Sequence, residues 1–180
     1  MALQTKINGR LVRGIVGEFA DSAPKSATSY IVFGKDNSSK PTFGKFFSLV
    51  EKALSSGSSA KTTVAVQGVG AANSFAMGIL VNPKEHFTHG FVTSLEMDAG
   101  LSGEIATVGH IYVLASTDVD AGAPVYVDAN GNVGDDTLAN SIEVVGAKFL
   151  LTATIEDGKT TVLTKVGISN PVLATGTGSI

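Results

Sequence analysis

Residues 121–136 read Ala121-Gly-Ala-Pro-Val-Tyr-Val-Asp128-Ala-Asn-Gly-Asn-Val-Gly-Asp-Asp136. Two architectures compete for this stretch. A helix-loop-helix calcium loop needs oxygen ligands at its first, third and fifth positions, glycine at the sixth and a bidentate glutamate at the twelfth. Counting from Asp128, Asn130 and Asn132 meet the early positions, but Val133 stands sixth and Ala139 twelfth. Val125-Tyr-Val127 also reads as a strand, where a calcium loop would be preceded by a helix. Asn130-Gly131, by contrast, is the dipeptide of a tight type I′ turn, whose two central residues both take positive φ. The stretch is therefore expected to be a β-hairpin tip with no metal. Were it to hold a cation outside the helix-loop-helix pattern, Asp128, Asp135 and Asp136 would be the ligands, stiffening the loop.

The sequence that follows supports the β reading. Residues 147–155, Ala-Lys-Phe-Leu-Leu-Thr-Ala-Thr-Ile, put Phe149, Leu151, Ala153 and Ile155 on one face and Lys148, Thr152 and Thr154 on the other, interrupted by Leu150. That alternation predicts a half-buried strand. Glu156-Asp-Gly-Lys159 predicts a turn, and Thr161–Val166 the returning partner. Residues 105–115 are apolar on both faces, as in a strand covered on two sides. Further strands are expected at Leu11–Gly17, Ser29–Phe33, Thr62–Gln67, Ala76–Val81 and Val125–Val127. Short apolar runs punctuated by Gly, Asn, Asp, Pro and Ser are the pattern of an all-β sandwich or barrel. One short helix is expected near residues 44–54, because Phe46, Phe47, Val50, Ala53 and Leu54 recur at helical spacing before the polar run Ser55-Ser-Gly-Ser-Ser.

The chain has 180 residues, enough for one domain with a sizeable core. We expect a β domain over 11–168 between an N-terminal arm, 1–10, and a C-terminal arm, 169–180, whose last ten residues carry no charge. Residues 1–60 hold eight Lys/Arg against four Asp/Glu, and residues 61–180 hold five against twelve. This asymmetry points to faces with different partners, but it is too dilute for a nucleic-acid binder, which would carry a strongly basic stripe. There is no cysteine, so disulfides and thiolate metal sites are excluded. The N-terminus lacks the apolar run of a signal peptide and no segment has the ~20 apolar residues of a membrane helix, so neither secretion nor membrane partnership is expected. Only 16% of residues are charged, a proportion suited to a subunit largely covered by neighbours.

Catalytic motifs are missing. Gly68-Val-Gly70-Ala-Ala-Asn73 supplies two glycines of a dinucleotide fingerprint but has Asn73 at the third, so close backbone packing is the expected role. His86 and His89, near Glu85, lack a third ligand of suitable spacing and read as a surface loop; the remaining histidine is His110. No Gly-x-Ser-x-Gly elbow occurs; the pairs Glu96/Asp98 and Asp118/Asp120 would share one face if extended, and in Ser116-Thr-Asp-Val-Asp-Ala-Gly122 the pair reads as turn residues. We expect no enzyme and no cofactor.

Several phrases in order resemble the structural cement proteins of tailed bacteriophage capsids. They are Gly14-Ile-Val-Gly17-Glu-Phe-Ala-Asp21-Ser-Ala-Pro24, Ser29-Tyr-Ile-Val, Phe43-Gly-Lys-Phe-Phe, Ala76-Met-Gly-Ile-Leu, Gly109-His-Ile-Tyr-Val, Asp120-Ala-Gly-Ala-Pro-Val-Tyr-Val, Val145-Gly-Ala-Lys-Phe149 and Thr161-Val-Leu. The serine-rich stretch from Leu49 to Lys61 and the N-terminal arm depart from the pattern. The resemblance implies a β-sandwich-like or barrel-like protein, made in the host cytoplasm and bound to the outer surface of the capsid where major capsid proteins meet. It implies no catalysis. A homo-oligomer is expected, a trimer with a dimer as the alternative. The expected contact residues to capsid or self are Arg10, Arg13, Asp21, Pro24, Lys25, Tyr30, Phe46, Phe47, Pro171 and Leu173. A virion-exposed carbohydrate- or receptor-binding β-module is the alternative function, disfavoured by three Tyr and no Trp.

Overall fold

The computed structural model describes residues 14–36, 39–53, 59–69, 74–82 and 95–174. Among them lie nine strands: β1 Ser26–Phe33, β2 Phe46–Ala53, β3 Lys61–Gln67, β4 Ser74–Leu80, β5 Ser102–Ala115, β6 Pro124–Val127, β7 Val133–Gly134, β8 Ile142–Phe149 and β9 Val162–Leu173. No described residue is helical.

The strand pairings close two rings that share β5. In the first, β1 pairs with β3, β3 with β2, β2 with β4, β4 with β5, and β5 returns to β1. In the second, β5 meets β7, then β6, β8 and β9, which pairs back along β5. The early part of β5, Ser102–Val108, faces β1, and Val108–Ala115 faces β9. Closure removes most of the exposed strand edge that an open sheet would leave.

Alternation along the shared walls feeds two cores. Phe47, Leu49, Leu80 and Ile105 lie in one buried cluster with Val32, Phe43 and Ala65. Their chain neighbours Phe46, Ile79 and Ala106, together with Met77, join the larger cluster built around Ile111, Val113, Val125, Val127, Phe149 and Val166. The register matches this division: Phe46 pairs with Ile79 and Ile79 with Ala106, while Leu80 pairs with Ile105.

That geometry corrects the helix expected near residues 44–54. Residues 46–53 form β2, and Phe46 through Val50 are all buried. A strand with a core on each side has no solvent-facing side, and its apolar residues on both faces, interrupted only by Ser48 between Phe46 and Val50, imitate a helical stripe. Phe46 and Phe47, expected as contact residues, are fully buried core residues instead.

Other boundaries also differ. Gly14–Gly17 does not form the expected strand: Glu18 N–H donates to the Ile15 carbonyl in a turn, and the adjoining Phe19 makes one bridge to Ile111. Residues 11–13 of that expectation lie outside the described residues. The hairpin after residue 147 is present, with Lys148 opposite Gly167 and Phe149 opposite Val166, but β8 stops at Phe149 rather than continuing to Ile155. Ala153 turns away to bridge Val119. The turn itself lies where expected, with Lys159 N–H donating to Glu156 carbonyl and Gly158 at φ +79°. At the far end β9 runs to Leu173, five residues past the expected boundary at 168, pairing Leu173 with Val144.

Candidate functional site

The 128–132 turn is the first polar cluster to weigh as a site. Asp128 Oδ1 accepts from the N–H groups of Asn130 and Asn132 at 2.8 and 2.9 Å, and Oδ2 accepts from Asn132 Nδ2 at 2.7 Å. Gly131 N–H donates to Asp128 carbonyl, and Gly131 at φ +77° is the one positive-φ residue of the turn. This is a type I turn followed by a left-handed glycine, not the expected type I′ turn with both central residues at positive φ. Aspartate at the first position lets its carboxylate bind backbone N–H groups that the ladder leaves over.

The tip is docked rather than displayed. Phe46 N–H donates to Gly131 carbonyl and Val69 N–H to Asp128 carbonyl, both at 3.3 Å. Buried Gln67 spans the junction: its Nε2 donates to Asn130 carbonyl at 2.9 Å while its Oε1 accepts from Thr42 N–H at 2.9 Å. Lys35 Nζ donates to Asn130 Oδ1 at 2.9 Å. A loop of the second ring is thus fastened onto β2 and β3 of the first. Gly68 sits against the Ala129 carbonyl with φ +93°, the close backbone approach expected of that glycine. Gly70 and Asn73 lie outside the described residues.

Asp135 is engaged nearby. Its Oδ1 accepts from the N–H and hydroxyl of Thr137, and its own N–H donates to Thr117 Oγ1. Partial desolvation pushes its carboxyl pKa upward, but the Thr137 and Thr117 hydrogen bonds outweigh it and hold the group below its ordinary value. Asp135 and Asp136 line a cleft of about 500 Å³ with Asp118, Asp120, Pro124 and Tyr126. Among the described residues no three His, Asp or Glu side chains are grouped so as to hold a metal ion. His86 and His89 lie outside the described residues.

A second polar cluster holds the segment that precedes β1. Gly17 N–H donates to Tyr112 carbonyl, Tyr112 N–H to Glu18 carbonyl, and Ala20 N–H to His110 carbonyl, so residues 17–20 lie along β5 as a short strap. Gly109, at φ +138°, leaves the space that the Phe19 ring fills. Asp21 Oδ2 then accepts from His110 Nδ1 at 2.8 Å and sits 3.5 Å from Lys165 Nζ, while Oδ1 accepts from Ala23 N–H. The His110 hydrogen bond, then that of Ala23, hold the Asp21 carboxyl below its usual value. Lys25 Nζ lies 5.0 Å from the Phe19 ring centre.

Of the expected contact residues, Asp21, Pro24 and Lys25 are exposed between this strap and β1, and Tyr30 is half-buried against the first core. Pro171 is buried and Leu173 half-buried, both within β9. Arg10 and Arg13 lie outside the described residues. Sequence reasoning did not single out the exposed apolar residues Ile31, Leu101, Val145 and Val172. Val145 and Val172 are register partners across β8 and β9, beyond a register shift in which Gly146 of β8 stands opposite Ser169–Pro171 of β9.

In the two fused β-rings the carboxylates of Asp21, Asp128 and Asp135 are engaged in hydrogen bonds that fasten loops. The chain belongs to the structural cement protein family (E217 gp24/Pam3 gp6), which it matches over residues 3–168. It is thereby a phage capsid structural protein. Its fold is shared by a chain of a solved structure described as the capsid of Myoviridae Phage XM1, with a TM-score of 0.57 at 15% identity, covering 94% of this chain and 98% of that one. Comparison with curated proteins finds no match.

Proposed function

We propose that the protein decorates the outer surface of a phage head and bridges neighbouring major capsid proteins, stabilising the DNA-filled shell. The family match over residues 3–168 carries this reading. Physical features support it. A shell under outward load is weakest between its capsomers, and a clamp that buries surface on two or more subunits adds contact across the seam. Stable interfaces bury about 800 Å² per partner, and attachment at several points lets single contacts open without loss of the whole. Two rings locked together by the 128–132 loop form a body suited to transmit load between its attachment points.

The contacts we assign to capsid or neighbouring copies are Arg10, Arg13, Asp21, Pro24, Lys25 and Tyr30 at the N-terminal side, with the chain after β9 at the other. The mechanism is binding alone, with no catalytic step, no cofactor and no direct nucleic-acid contact; the protein functions on the virion after synthesis in the host cytoplasm. Co-sedimentation with expanded, undecorated heads tests this. Saturable binding at fixed stoichiometry supports the reading. Absence of binding to the cognate head, with affinity for glycans instead, overturns it in favour of a receptor-binding module.

A further inference from the structure

The loop that joins the two rings carries an Asn-Gly pair, Asn130-Gly131, a dipeptide with a covalent chemistry of its own. A following glycine has no side chain to obstruct attack of its backbone nitrogen on the asparagine amide. In that reaction the Gly131 nitrogen bonds to Asn130 Cγ, the Cγ–Nδ2 bond breaks, and the amine leaves as ammonia with the Gly131 proton. Water then opens the cyclic imide at either carbonyl. One product is aspartate. The other is isoaspartate, in which the chain runs through the former side chain and gains one backbone carbon. The second such pair in the sequence, Asn8-Gly9, lies outside the described residues.

The docked loop opposes each part of this step. The nucleophile, Gly131, is buried, and its N–H donates to the Asp128 carbonyl at 3.0 Å. The side chain it would attack is exposed to water, but Asn130 Oδ1 is held by Lys35 Nζ at 2.9 Å. The backbone between them is fixed as well. Asn130 N–H donates to Asp128 Oδ1, Asn130 carbonyl accepts from Gln67 Nε2, and Gly131 carbonyl accepts from Phe46 N–H. The products meet a further constraint. A Cβ on Gly68 would collide with the Ala129 carbonyl, and one on Gly131 with the Phe46 carbonyl, so the docked backbone has no room for an added carbon. Aspartate, by contrast, leaves the backbone path as it is and offers Lys35 a carboxylate oxygen.

We propose that Asn130 is a modification site gated by the joint between the rings: it converts only when the 128–132 loop undocks, and its isoaspartate product does not dock again. Local opening then sets the rate of conversion, as it sets the rate of amide hydrogen exchange. Each conversion to isoaspartate makes one opening of the joint permanent. The inference concerns the joint alone, so its failure leaves capsid binding to be judged separately.

The test is ageing of the full chain at mildly alkaline pH, with peptide mapping by mass spectrometry to locate and quantify the converted sites. Conversion at Asn130 is expected to be at least about tenfold slower in the folded chain than in guanidinium chloride, because the undocked loop is a minority state. Gln67→Ala removes two hydrogen bonds and Asp128→Ala three, so each should speed conversion about tenfold while circular dichroism stays native. Asn140-Ser141, on the exposed turn before β8, should keep its rate in both variants. Refolded chain with isoaspartate at position 130 should melt below the wild type, whereas Asn130→Asp should melt with it. Equal rates in folded and denatured chain, failure of both folded variants to speed conversion, or an isoaspartate form that melts with Asn130→Asp would overturn the proposal.

Discussion

The carbonyl of Ala129 occupies the place a Cβ would take on Gly68. Gly68 also donates its N–H to Phe46 carbonyl at 2.8 Å, so at this point the end of β3, the start of β2 and the 128–132 loop meet backbone to backbone. The two rings are joined there without room for one methyl group.

Gly68→Ala should therefore be among the most damaging small substitutions in the molecule. It combines a positive-φ conformation with a clash against backbone that cannot swing aside. We expect a loss of at least about 2 kcal/mol, read from the urea midpoint at unchanged slope. Gly122→Ala is the control: its φ of +90° is similar but nothing lies within 4 Å, so it reports conformational strain alone and should cost less.

Asp128 should behave as a staple and not as an ion ligand. Asp128→Ala removes three accepted hydrogen bonds and leaves two backbone N–H groups to find water, a loss of about 1–3 kcal/mol. Calcium or a chelator should leave the melting temperature of the wild type unchanged. A calcium-dependent rise that disappears in Asp128→Ala would restore the metal reading.

Acid sensitivity should come in part from Asp21 and Asp135. Both carboxyl groups are held below their ordinary value of about 3.9, so they bind protons more weakly in the folded state than in the unfolded one. Their stabilisation is fully present above that ordinary value and is lost as pH falls through the lower folded values. Asp21→Asn should leave stability at neutral pH changed only modestly, because the cluster is solvent-exposed, and should make the acid limb of the stability–pH curve shallower. An acid limb identical to the wild type would remove Asp21 from this role.

Phe46→Ala and Phe47→Ala should each cost about 3–5 kcal/mol, since both rings are fully buried but in different clusters. Because their side chains point to opposite faces of β2, hydrogen exchange should respond differently: Phe46→Ala chiefly loosens β6, β8 and β9, and Phe47→Ala chiefly β1 and β3.

These two phenylalanines also show where sequence reading reaches its limit. The all-β class was legible because Val125-Tyr-Val127, Thr62–Gln67 and the region around Phe149 alternate or break at turn residues as isolated strands do. β2 was misread because a wall between two cores is apolar on both faces, and single-chain periodicity cannot tell that from a helix. Leu150 already interrupted the alternation after Phe149, at the point where β8 ends. The turn at Asn130-Gly131 was locatable, but its type depended on Asp128 capping the loop and on a docking partner, Gly68, distant in sequence. Asp21 was marked only through the family phrase; its partners His110 and Lys165 come from β5 and β9, and no local spacing connects them.

The central claim is that this protein clamps the seams of a phage head from outside. A cryo-EM reconstruction of heads saturated with the purified protein tests it most directly. The account predicts density for the two-ring body on the outer surface, each copy touching at least two major capsid subunits, with the strap around Asp21 to Lys25 at a contact. Density confined to one subunit, on the inner surface, or absent at saturating concentration would contradict it.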